Sequence, residues 1–221
     1  MNILFIALAP VFIIAIYVYF RDKYEKEPIR MLLTALLTGG LIVIPVILVE
    51  KAFMWINPPL PHGGKAIYNA FFVAGLTEEG FKFLALLLLI WRNKNFNEKF
   101  DGIVYAVFIG LGFAGVENVL YVLKLGANVG MIRALTAVPA HALFGVTMGY
   151  YLGLARFYPD SRKALLFRAI FYPIMLHGTY DFILMLGDNR LLLGFIPYVI
   201  FLYIDGLRRM KNLSDRSIFR G

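Results

Sequence analysis

The 221-residue sequence contains no cysteine. Disulfides, thiolate metal sites and a cysteine nucleophile are therefore excluded, and thiol usage says nothing about redox compartment. Serine is nearly absent: Ser161, Ser214 and Ser217 are the only three, and all lie in a loop or the C-terminal tail. A serine–histidine hydrolase working inside a membrane would have no nucleophile here, which removes rhomboid-like chemistry. Charge is also scarce, at 16% of residues against 60% apolar, with a mean hydropathy of +0.73. A soluble domain of this size is far less apolar. Internal repeats and low-complexity tracts are missing too, and the expected organisation is a single transmembrane unit over residues 1–221.

What the chain does have is long apolar runs. A helix needs roughly 20 apolar residues to cross the hydrocarbon core, and on that measure spans are expected near 2–20, 31–56, 66–91, 102–123, 130–156, 164–186 and 191–207. The expected fold is all-α, a polytopic bundle of about seven transmembrane helices. The first run has no basic residues before it and no small-x-small cleavage pattern at its end, so it reads as a retained helix. Asn57-Pro58-Pro59 closes the second run, and Asp101-Gly102 opens the fourth with Asp101 as the expected N-cap.

The formal charge of +8 is distributed as topology signals are, not as a nucleic-acid surface. Sixteen of the 22 Lys and Arg fall in 21–30, 92–101, 156–168 and the tail after 207, whereas four fall in the intervening connections and Lys51 and Lys82 lie within helices. This asymmetry places the N-terminus outside and the C-terminus in the cytoplasm of a multi-pass cell-membrane protein. Gly110-Leu-Gly-Phe-Ala-Gly115 gives the fourth helix small residues that permit close helix approach.

Several polar groups are costly where they stand. A charged side chain at a helix centre costs about 2.5–3.5 kcal/mol on insertion scales, and the third run carries Glu78, Glu79 and Lys82 within five residues. They are expected to face the bundle interior. Glu78 and Lys82 share a helix face and are able to pair, or Lys82 snorkels toward the cytoplasm. Neither reading accounts for Glu79. Other helices offer Glu117 with Asn118, His141, and His177 with Asp181 four residues later, the last pair able to orient an imidazole. Counted from the outer helix ends, Glu78 lies about twelve residues in, His141 about eleven, His177 about nine and Glu117 about six, a band in the outer half of the bilayer at ~1.5 Å per residue. His62 reads as solvated, Glu50 and Lys51 sit near the outer end of the second helix, and Asp205 is spaced to pair with Arg208 or Arg209.

A paired-aspartate protease needs two facing aspartates, and Asp181 is the only one deep in the bilayer. No His-Glu-x-x-His occurs, although His141, His177 and a glutamate from separate helices are able to assemble a zinc site. The remaining chemistry is a glutamate acting as general base on water, with histidine stabilising the oxyanion. The alternative from the residues alone is a proton- or cation-coupled transporter using the same cluster as a relay. Against it stand the absence of inverted repeats and of matching Gly/Pro-broken segments.

Four ordered motifs then resemble the PrsW family of membrane proteases: Glu78-Glu79-Gly-Phe-Lys82, Phe113-Ala-Gly-Val-Glu117-Asn118, His141-Ala-Leu and His177-Gly-Thr-Tyr-Asp181. The resemblance runs along nearly the whole chain, and the family in turn looks distantly similar to CAAX prenyl endopeptidases, where histidine stands in place of Glu117. It implies a protease making the first, extracytoplasmic-side cut in a single-pass anti-sigma factor, which leads to release of an envelope-stress sigma factor. By position it implies a catalytic set of Glu78, Glu79 and His177, supported by Glu117, His141 and Asp181. No metal is committed by these motifs, and zinc is the alternative.

Overall fold

The computed structural model describes residues 3–56 and 58–220, and all regular structure among them is helical. In chain order the helices are α1 (Ile3–Arg21), α2 (Ile29–Leu41), α3 (Val43–Ile56), α4 (His62–Ile67), a π-helical segment (Tyr68–Leu76) running into α5 (Thr77–Ile90), α6 (Lys99–Leu125), α7 (Ala127–Leu135), α8 (Ala137–Phe157), α9 (Arg162–Leu186) and α10 (Asn189–Ser214). Among the described residues, five helical rods are long and apolar enough to cross a membrane: Ile29–Ile56, Lys99–Leu125, Ala127–Phe157, Pro159–Leu186 and Asn189–Ser214. Asn57 and Asn2, which the sequence reading placed at a run's end and a helix start, lie outside the described residues.

Three runs expected to be continuous helices are not. The second breaks at Ile42, where Pro45 supplies no N–H to the carbonyl of Leu41. The fifth breaks at Thr136 (φ −120°, ψ −64°), shortly before Pro139, and its first part is the separate helix α7, set off from α6 by Gly126 at φ +91°. The third widens into π geometry over Tyr68–Leu76, directly ahead of Thr77-Glu78-Glu79. Such insertions gather at functional sites because they re-aim the residues that follow. The fourth helix also starts earlier than expected. Asp101 is not the N-cap but the third helical residue, and its Oδ2 accepts the backbone N–H groups of Glu98 (2.8 Å) and Asn97 (2.9 Å).

Helix α6 is the central rod. It is buried continuously from Phe100 to Gly115 and packs on α8, α2 and α1. Backbone-to-backbone approach is what makes this possible. A Cβ on Gly112 would lie 1.9 Å from the Leu36 carbonyl oxygen of α2, and one on Gly149 of α8 would lie 2.1 Å from the Gly102 carbonyl oxygen of α6. The outside of the bundle, by contrast, is studded with exposed Leu, Ile and Phe, such as Leu88, Leu193 and Phe5, as a surface in contact with lipid requires. At the other end of α6 the connection after α1 carries buried acids. Burial pushes the carboxyls of Asp22 and Glu27 up to about 7.

Gly112→Ala is expected to lower stability by about 1–3 kcal/mol, since its methyl group can be accommodated only by moving α2 away from α6. Thermal unfolding of the full chain in detergent checks this, and an unchanged midpoint contradicts the close approach.

Candidate functional site

The site is assembled around one buried ammonium. Lys82 Nζ donates to Glu79 Oε1 (2.8 Å) and Glu78 Oε2 (3.1 Å), lies 3.1 Å from His141 Nδ1, and sits 4.0 Å above the Phe113 ring centre. Lys82 does not snorkel, and it pairs with both glutamates. Two glutamates at consecutive helix positions point about 100° apart, and a lysine three and four residues later spans that angle. The long stem of Lys82 reaches both carboxylates, which accounts for Glu79 as well as Glu78.

The two histidines complete the cluster from α8 and α9. Their ring centres are 5.1 Å apart and nearly perpendicular, and Phe144 stacks on His177. Each imidazole turns Nδ1 to the centre and Nε2 to an outlying carboxylate. His177 Nδ1 is 3.0 Å from Glu79 Oε1 and its Nε2 is 3.4 Å from Asp181 Oδ2. His141 Nδ1 faces Lys82, and its Nε2 lies 3.0 Å from Glu117 Oε2. An ammonium has no lone pair to offer, so His141 Nδ1 accepts and its Nε2–H donates to Glu117. Arg133 of α7 adds a 2.7 Å ion pair to the same Glu117 oxygen and lies over the Tyr121 ring. The cluster thus holds four carboxylates against two permanent cations, with two imidazoles between them.

All six residues expected at the site, Glu78, Glu79, Glu117, His141, His177 and Asp181, are brought into this network. Asn118 is not: its amide donates to the Ala7 carbonyl and ties α6 to α1. His62 is exposed beside the Leu186 carbonyl, and Asp205 pairs with Arg209 at 2.5 Å. The sequence reading missed Arg133, counted there as a connection charge, and undervalued Glu50. Both line the cavity next to the cluster. Glu50 was detectable as the one acid of α3, whose only other charge is Lys51.

That cavity encloses about 290 Å³ and is lined by Glu78, Glu117, His141, His177 and Asp181, together with Glu50 and Arg133. Glu79 does not line it and is 0% exposed, against 6% for Glu78. The two adjacent glutamates therefore differ in kind. Glu78 meets the cavity, whereas Glu79 stands behind it and holds His177.

Glu78, Glu79, His141 and His177 each offer a donor atom within 4.8 Å of the others, and Glu79 Oε2 is buried without a hydrogen-bond partner. Two imidazole nitrogens and two carboxylates are a zinc-type donor set. The Glu117 and Asp181 carboxylates behind the two rings are the outer partners that metal-bound histidines usually have.

The helical rods and this enclosed acid–histidine centre define a multi-pass membrane protein with a hydrolase-type site. A family model described as "PrsW family intramembrane metalloprotease" matches residues 27–204, and the chain belongs to that family. It is 37% identical over 228 residues to Protease PrsW of Clostridioides difficile, covering 99% of this chain and 95% of that protein. Protease PrsW of Bacillus subtilis is 36% identical over 214 residues, 96% of each chain, and that of Oceanobacillus iheyensis 36% over 218 residues, 99% of each. No solved structure matches the chain. The protein is accordingly a multi-pass membrane peptidase of the PrsW family, acting on protein substrates in the membrane.

Removing the ammonium leaves two buried carboxylates facing each other without a cation. Lys82→Met is expected to cost about 3–5 kcal/mol of stability in chelator-treated protein. Resistance to proteolysis across a temperature series measures the loss, and a wild-type profile contradicts the pairing.

Proposed function

We propose that the chain is an endopeptidase that crosses the membrane seven times, as one unit over residues 1–221, with the N-terminus outside and the C-terminus in the cytoplasm. In this reading α1 and the rod from α4 to α5 supply the two crossings beyond the five rods named above. The sixteen-to-four distribution of Lys and Arg supports the orientation. The cavity then opens from the outer half of the bilayer. The family resemblance supports the substrate class: a single-pass anti-sigma factor whose first, extracytoplasmic-side cleavage leads to release of an envelope-stress sigma factor.

The observation that carries the chemistry is the division of the glutamate pair by the cavity wall. Glu78, at the cavity, takes a proton from water as general base. The water oxygen adds to the carbonyl carbon of the scissile bond, and His177, on the same wall, turns its Nε2–H from Asp181, 3.4 Å away, to the oxygen on which negative charge develops. Glu78 then returns the proton to the departing amine nitrogen as the C–N bond breaks. Glu79 is a positioning residue, holding His177 Nδ1 from behind the cavity wall, while Glu117 orients His141 and Asp181 orients His177 in the resting site. Phe144 fixes the plane of His177 by stacking.

The family description names a metalloprotease, and the residues fit one. In this alternative Glu79, His141 and His177 would turn from one another to hold a zinc ion, which when bound supplies Lewis-acid polarisation of the carbonyl and a more acidic water. The excess of carboxylates over permanent cations suits a divalent charge, and Lys82 competes for the same donors.

Purified full-length protein in liposomes, given a single-pass substrate, provides the test. A strong chelator is expected to stop cleavage and zinc to restore it. His177→Asn is expected to reduce the rate by about a hundredfold or more. Chelator-resistant cleavage at the wild-type rate removes the metal, and wild-type cleavage by His177→Asn removes the oxyanion role. Substrate-dependent ion flux without cleavage would instead show a coupled transporter.

A further inference from the structure

A second group of acids lies far from the peptidase centre. Asp101 precedes Glu117 by sixteen residues on α6, roughly 24 Å along the helix. Here the connection between α1 and α2 folds over the start of α6 and brings Asp22, Glu25 and Glu27 against Asp101 and Glu98. Oxygens of Glu25, Glu27 and Asp101 lie within 4.8 Å of one another. Asp22, Glu27, Glu98 and Asp101 are 1%, 2%, 4% and 0% exposed.

Acids crowded this closely ordinarily recruit Lys or Arg, and this connection is rich in both. Yet among the described residues no Lys, Arg or His side chain forms an ion pair with any of these five acids. Lys26, the nearest by sequence, spends its ammonium on the Tyr19 and Asp22 carbonyl oxygens and on the Tyr19 ring. The donors that do reach the acids are neutral. The Tyr105 hydroxyl donates to Glu27 Oε2, the Asn97 amide to Glu25 Oε1, Ser217 to Glu98, and backbone N–H groups to Asp22 and Asp101.

Each of these interactions uses one oxygen of a carboxylate and leaves another. Asp22 Oδ1, Glu25 Oε2, Glu27 Oε1 and Asp101 Oδ1 are all buried with no hydrogen-bond partner, as is Asn97 Oδ1. Five acceptor oxygens stranded on neighbouring side chains, four of them on carboxylates and three of those on the Glu25, Glu27 and Asp101 group, call for something that binds oxygen and carries positive charge. Neutral donors are already in place, arranged so that they orient the carboxylates without occupying these oxygens. That is the arrangement of a preformed oxygen-ligand site for a hard cation, with carboxylates from the α1–α2 connection and from a helix start.

We propose that Glu25, Glu27 and Asp101, with Asp22 and Asn97 beside them, form a structural site for a hard divalent cation of the calcium or magnesium type. The ion ties the α1–α2 connection to the first turn of α6. The site has no nitrogen donor, which separates it chemically from the Glu/His centre, where imidazoles favour zinc.

Thermal unfolding of the full-length protein in detergent, after chelator treatment and exchange into Mg2+, Ca2+ or Mn2+, tests this against K+ at equal ionic strength. At a hundredfold excess over the dissociation constant the midpoint is expected to rise by roughly 5–10 °C with at least one divalent ion. Glu25→Gln/Glu27→Gln should lose that shift, yet be at least as stable as wild type in chelator, because it removes two repelling charges. A variant that keeps the shift assigns the ion elsewhere and overturns the proposal. So does the absence of any shift beyond K+, which would mean that protons alone neutralise the acids. Should the double variant fail to fold, the wild-type protein still decides. Tb3+ emission excited through tyrosine should appear and be chased by Ca2+, with Tyr105 beside Glu27 as the sensitiser. It should fall in Tyr105→Phe, and no sensitised emission overturns the site.

Discussion

The structure depends on one buried ammonium among acids. Lys82 holds Glu78 and Glu79 together and faces His141, and through Glu79 it reaches His177. In a low-dielectric interior, an unpaired charge costs several kcal/mol. The cluster is therefore either complete or very expensive, and completeness requires α5, α6, α8 and α9 to meet at one depth. The glycines of α6 and α8 serve that requirement, since only backbones in near contact bring Glu117 and His141 within 3.0 Å. The π-helical segment serves it from the other side. Gly75 within it lies where a Cβ would come 3.2 Å from the Ile174 carbonyl oxygen of α9, which seats Glu79 against His177.

Much of this was legible in the sequence, because charges in apolar runs are few and each demands a reason. Glu78, Glu79, His141, His177, Glu117 and Asp181 stood out by cost alone, and counting from helix ends put Glu78, His141, His177 and Glu117 in one band of depth. What periodicity leaves undetermined is direction. Whether Lys82 pairs or snorkels depends on which helix lies over it, and the roles of Glu78 and Glu79 depend on where the cavity wall falls. Neither is encoded locally. The breaks at Ile42 and Thr136 are less excusable, since Pro45 and Pro139 mark both. Hydropathy averages over a window and runs through a proline that costs one hydrogen bond. The π-helical turn has no such marker in Tyr68–Leu76, and tertiary packing on α9 accounts for it.

The two ends of the bundle solve the same electrostatic problem differently. At the cavity, acids are balanced by lysine, arginine and imidazole, with Asp181 and Glu117 holding the rings. At the start of α6, Asp22, Glu27 and Asp101 are oriented by neutral donors and left short of positive charge. In the proposed mechanism the first arrangement keeps a base and a polarising group beside the cavity. The second fixes the chain end of the rod on which Glu117 is carried.

The central claim is that peptide bonds are hydrolysed at the buried cluster with Glu78 as the base. Single-turnover cleavage by the purified Glu78→Gln protein, measured together with its affinity for the same single-pass substrate, tests it most directly. Affinity within about twofold of wild type and a cleavage rate constant at least about a hundredfold lower are predicted. A wild-type rate constant, or a loss of cleavage accounted for entirely by lost binding, would contradict it.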